Sequence, residues 1–103
     1  MKKEAFLITK DETLDGLTFT IKGRIDSVYA SPIQEKMDEA IKDGVKKIVL
    51  NMREVEFLSS AGIRVILKTY RDINKAGGTF GIEKPSERVK NVLGMTALNE
   101  LLV

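Results

Sequence analysis

Two adjacent serines, Ser59 and Ser60, stand in the stretch VEFLSSAGIRVILKTY (Val55 to Tyr70), between an apolar run and a segment with helical periodicity. A hydroxyl at such a junction can satisfy a free backbone N–H at the helix start, and one of the two serines is expected to do so. Nucleophilic chemistry would need a base beside it. The chain has no histidine and no cysteine, which removes histidine-based triads, imidazole acid/base groups, His-rich zinc sites, thiolate metal sites and disulfides. Ala61 and Gly62 keep the turn after the serines thin, which suits close packing or the approach of another molecule. A second junction, GRIDS (Gly23 to Ser27), puts Asp26 between a strand and a helix, as a turn or cap residue or as an exposed charge. Arg64, Lys68, Arg71 and Lys75 form a basic ridge, read here as a solvated helix face.

The elements that must position these residues follow from periodicity. AFLI (Ala5 to Ile8) reads as a short strand. In LTFTIKG (Leu17 to Gly23), Leu17, Phe19 and Ile21 alternate with Thr18, Thr20 and Lys22, the pattern of a half-exposed strand. Asp15-Gly16 between them suits a tight hairpin with positive φ angles, so the two strands are expected to pair antiparallel. From Ser31, with Pro32 in the first turn and Gln34 as a capping-box partner, Ile33, Met37, Ala40 and Ile41 share one helical face, and Gly44 ends the helix. Lys46 to Met52 carries the continuous Ile48-Val49-Leu50 run of a central strand. From Ser60, Ile63, Ile66, Leu67, Tyr70 and Ile73 define a second helix stopped by Gly77-Gly78. TFGIE is a further strand, and Pro85-Ser86 opens a third helix with Val89, Val92 and Leu93 inward and Gly94 as its stop. The closing TALNELLV reads either as an apolar turn capped by Thr96 or as an edge strand.

Strands alternating with helices define an α/β fold: a mixed, mostly parallel sheet with an N-terminal antiparallel hairpin and right-handed βα crossovers. One domain over residues 1–103 is expected from the length. In an open sheet of this kind, function gathers where strand carboxyl ends meet helix N-termini, so the GRIDS and FLSSAG loops should share one rim.

Several functions are set aside. Seventeen basic and fifteen acidic residues are interspersed, which offers neither a nucleic-acid stripe nor a polybasic membrane anchor. No uninterrupted apolar stretch suggests a signal peptide or spanning helix, and a cytoplasmic protein is the simplest expectation. Gly77-Gly78 lacks the ending of a phosphate loop and precedes a strand. A phosphoaspartate receiver would need an aspartate ending the central strand, where LNM places Asn51. An enzyme is therefore not expected.

KKIVLNMREVEFLSSAGIRVILKTYRDINKAGGTFGI resembles the central signature of STAS domains, specifically the small bacterial anti-sigma factor antagonists. GRIDS resembles their first loop motif and SERVKNVLGMTALNELL their closing helix and turn, so the resemblance covers nearly the whole chain and implies a STAS fold. It implies a switch in which the unphosphorylated protein binds an anti-sigma factor, commonly an ATP-dependent serine kinase, and frees the sigma factor. Phosphorylation ends the association and a serine phosphatase restores it. Motif alignment puts the phosphoacceptor at Ser60. Ser59 takes a place often held by aspartate and is the lesser candidate. The partner surface implied is Asp26, Ser27, Ser59, Ser60, Ala61, Gly62 and Arg64. No metal, cofactor, direct nucleic-acid contact or membrane association is implied, and the free protein is expected to be a monomer. The alternative is a non-switching STAS subunit of a stress-signalling or lipid-transport assembly.

Overall fold

A computed structural model of the chain describes residues 6–103. Strand β1 (Phe6–Glu12) pairs antiparallel with β2 (Leu17–Ile25), Phe6 facing Gly23 and Glu12 facing Leu17. The first strand thus runs beyond Ile8, and Ala5 lies outside the described residues. Asp15-Gly16 does not form a two-residue turn. The loop takes in Thr13 to Gly16, and the Thr13 N–H and hydroxyl donate to the Gly16 carbonyl at 2.9 and 3.1 Å. The described glycines with positive φ are Gly23, Gly44 and Gly77. Gly16 answers a different need, because a Cβ there would collide with the Lys47 backbone. Leu14, at the tip of this hairpin, is fully exposed.

Helix α1 (Ser27–Lys42) starts four residues before Ser31, because Asp26 caps it. One carboxylate oxygen accepts from the Val28 and Tyr29 N–H groups at 3.0 and 3.2 Å. Pro32 therefore lies inside the helix. Its missing N–H leaves only the Val28 carbonyl, in the first turn, without its helical donor. Gln34 donates to Asp38 at 2.9 Å in place of the capping-box bond.

Strand β3 (Lys47–Leu58) runs past Met52 and pairs parallel with β2 on one side and with β4 (Thr79–Glu83) on the other, giving the order β1-β2-β3-β4. Twice β3 holds an extra residue. The register passes from Thr20 opposite Asn51 to Lys22 opposite Glu54, and from Gly23 opposite Val55 to Arg24 opposite Phe57. These bulges break the period of two, which is why the second half of β3 is hard to see in the sequence.

Helices α1 and α2 (Ser60–Lys75) pack side by side on one face of the sheet. The core joins Phe19, Ile21 and Ile25 of β2 with Ile48, Leu50, Met52, Val55 and Leu58 of β3. Met37 of α1 and Ile66 and Ile73 of α2 close it. Helix α3 (Glu87–Met95) lies beside the part of β3 that extends past β4. There Ser86 donates its N–H to Met52 at 3.1 Å and its hydroxyl to the Val55 carbonyl at 2.7 Å, covering an edge that would otherwise stay open.

All three helices end alike, with the residue two beyond the last turn's cap bonded back five positions. Val45 N–H donates to Ala40, Gly78 to Ile73 and Leu98 to Leu93, at 3.0, 2.8 and 2.9 Å. The left-handed residue is Gly44 in α1 and Gly77 in α2, but Ala97 (φ 59°) in α3. Gly94 is thus not the stop: α3 continues to Met95, and Thr96 is its C-cap, donating its hydroxyl to Val92 at 2.8 Å. The terminal segment combines a turn and a strand bridge, but Thr96 does not cap the turn, which follows Leu98 without a side-chain cap. A single 3-10 turn (Asn99–Leu101) precedes one parallel bridge from Leu102 to Ile82.

Candidate functional site

The last residues of β2 and β3, Ile25 and Leu58, are register partners, and the Ser59 N–H donates to the Ile25 carbonyl at 2.9 Å. The two loops that follow these strands therefore start side by side. Gly62 keeps them together: a Cβ there would stand 2.7 Å from the Ile25 side chain and 2.6 Å from that of Leu58. At this position the thin turn serves close packing.

The two serines do different work. Ser59 has extended backbone and is the N-cap of α2, its hydroxyl accepting from the Gly62 N–H at 3.2 Å. Serine and aspartate are both good caps, so a serine can hold this place without loss of the helix start. Ser60 is the first helical residue and is exposed, and its hydroxyl makes no hydrogen bond among the described residues. Helix α2 has a neutral cap and no acidic residue in its first turn, so its free N–H groups and dipole present partial positive charge beside Ser60, whereas the Asp26 carboxylate covers the start of α1.

Ser27 is exposed, Ala61 half-buried and Gly62 buried, while Arg64 is exposed one turn beyond Ser60. The basic ridge is a solvated face, as its spacing suggests. Arg64, Arg71 and Lys75 are exposed, and Lys68 pairs with Asp72 at 2.7 Å and Asp38 at 3.5 Å. The hydrogen bond to Asp72 is the main cause that holds the Lys68 ammonium above its usual pKa, partial desolvation opposing it.

Periodicity does not reveal two further features of this rim. Val28, in the first turn of α1, is 68% exposed. On the sheet face away from the helices, the Arg24 guanidinium lies 4.4 Å from the centre of the Phe57 ring. The bulge that brings these two residues opposite each other left no trace in the spacing. Among the described residues, no cluster of three acidic residues could hold a metal ion, and no helix is long and apolar enough to cross a membrane.

Residues 7–102 match the model of the STAS domain. An anti-sigma F factor antagonist of Paenibacillus polymyxa is 30% identical over 87 residues, covering 84% of this chain and 74% of that protein. A Thermotoga neapolitana relative is 34% identical over 65 residues, covering 63% of this chain and only 58% of its own length. The backbone superimposes on the unphosphorylated anti-sigma factor antagonist SpoIIAA with a TM-score of 0.85 at 20% identity, over 94% of this chain and 86% of that one. The phosphorylated form of Bacillus SpoIIAA gives 0.79 at the same identity, over 94% and 89%. A hairpin followed by alternating helices and parallel strands, and a family match that omits only the first six residues and the last, lead to one conclusion: the chain belongs to the STAS domain family.

Proposed function

We propose that the protein is an anti-sigma factor antagonist that binds an anti-sigma factor through the rim formed by Asp26, Ser27, Ser59, Ser60, Ala61, Gly62 and Arg64. The anti-sigma factor is an ATP-dependent serine kinase, which transfers phosphate to the Ser60 hydroxyl and so ends the association. A serine phosphatase resets the cycle. The observation that carries this reading is the division of labour between the serines: Ser59 is committed to capping, while the Ser60 hydroxyl is exposed and uncommitted. The antagonist name of the Paenibacillus relative supports the partner class.

The chemistry is self-consistent. Phosphate on Ser60 would add about −1.5 to −2 charges where helix N–H groups favour an anion, so the helix can carry it intact. Across an interface the same charge is strongly unfavourable against a packed apolar or acidic surface. Incubation with the kinase and ATP, followed by fragmentation mass spectrometry, tests the assignment. Phosphate should map to Ser60 and be absent from Ser60→Ala, which should still bind. Modification confined to Ser59 overturns the acceptor assignment. Binding without any modification favours the non-switching subunit.

A further inference from the structure

We propose that Arg24, held against Phe57, is a specificity contact for a carboxylate on the anti-sigma partner; this rests on the binding function proposed above. Arg24 and Phe57 lie two residues before Asp26 and Ser59, at the rim ends of β2 and β3. Their chain neighbours Ile25 and Leu58 face the core, so alternation turns Arg24 and Phe57 to the uncovered sheet face. A partner seated on the rim reaches them by extending over that edge.

The bulge at Glu56 decides what Arg24 meets. With Gly23 opposite Val55, a regular ladder would set Arg24 opposite Glu56, and the two would neutralise each other. The extra residue slides Phe57 into that place. Two positions back on the same face, the earlier bulge has the opposite effect: it sets Lys22 opposite Glu54, and the two pair at 3.4 Å. Among the described residues no carboxylate pairs with Arg24. Its guanidinium is instead held over an aromatic ring, which limits its rotamers and leaves its forked donors for an incoming group. A planar fork of this kind matches a carboxylate in a bidentate pair, and preordering it reduces the entropy lost on binding. Arg beside an aromatic residue is also the composition found at binding hot spots.

The test is calorimetric titration of the purified ATP-dependent serine kinase that serves as anti-sigma factor in the same cell. Wild type, Arg24→Ala, Arg24→Lys, Arg24→Glu, Phe57→Leu and Ser60→Asp would be compared at low and high salt, each with its melting temperature. We expect about tenfold weaker binding for Arg24→Ala and a larger loss for Arg24→Glu. Arg24→Lys should recover less than half of the lost free energy, because an ammonium neither stacks nor forks. Phe57→Leu should weaken binding several-fold with a flatter salt dependence. Melting temperatures of the Arg24 variants should stay near wild type. Binding of Arg24→Glu within about twofold of wild type, while Ser60→Asp binds poorly, overturns this proposal alone. Full rescue by lysine overturns the bidentate pairing, and a parallel fall in melting temperature makes Arg24 structural. A wild type that does not bind the kinase overturns both this proposal and the function on which it rests.

Discussion

Ser59 and Ser60 are chemically the same, and one step along the chain separates a hydroxyl turned back onto the first turn from one left facing water. The motif alone leaves open which of them caps, because both positions tolerate serine; the answer depends on where the strand stops. Asp26 is a similar case. Its carboxylate caps α1, so Asp26→Ala should cost about 1 kcal/mol, lowering the melting temperature by roughly 4–8 °C in a domain of this size. Asp26→Asn keeps an equally good cap and should leave thermal stability nearly unchanged. The asparagine variant thus isolates the charge. Weaker partner binding in calorimetric titration, without a lower melting temperature, is the outcome expected if Asp26 also meets a basic group. Thr69, in α2, is 1% exposed and its hydroxyl has no partner among the described residues. Thr69→Val should therefore raise stability by about 1 kcal/mol in denaturant unfolding, since it removes a buried, unpaired polar group at almost constant volume.

At the scale of elements, helix ends decide where sequence reading succeeds. Gly44 and Gly77 mark their helix ends correctly because the left-handed residue of the closing motif is a glycine. In α3 the glycine stands three positions too early and Ala97 takes the left-handed conformation, so the sequence points to the wrong stop. Ala97→Gly should then stabilise the protein by about 0.5–1 kcal/mol, by relieving a strained backbone. Gly94→Ala should add a similar amount, since a Cβ there meets nothing within 4 Å and the position is helical. Urea unfolding of both single variants and the double variant measures this. Unchanged or lower midpoints would show that the α3 end is not limited by these residues. The strands divide in the same way. The clean alternation of β2 was legible, whereas the second half of β3 was not, because two bulges turn neighbouring residues to the same face. The Arg24–Phe57 pair was hidden for that reason.

For the whole molecule, the order of elements and the shared rim followed from the alternation of strands and helices, which allows few topologies. The apolar faces of α1 and α2 turn to the sheet, and Ser60 sits outside this core. Phosphorylation should consequently leave the melting temperature similar and confine amide chemical-shift changes to the residues around the two loops. Shifts spread through all four strands would mean that the switch acts through the fold. The β1–β2 hairpin has a practical consequence. Strand β2 runs from Leu17 to the rim at Ile25, so Leu14 projects from the far end, roughly 26 Å away at the usual rise per residue. Because the chain has no cysteine, Leu14→Cys would supply a single thiol for a fluorophore or a surface tether. A probe placed there should leave kinase affinity within about twofold of wild type while its anisotropy reports the partner's arrival, making the loading and release of the rim visible in real time.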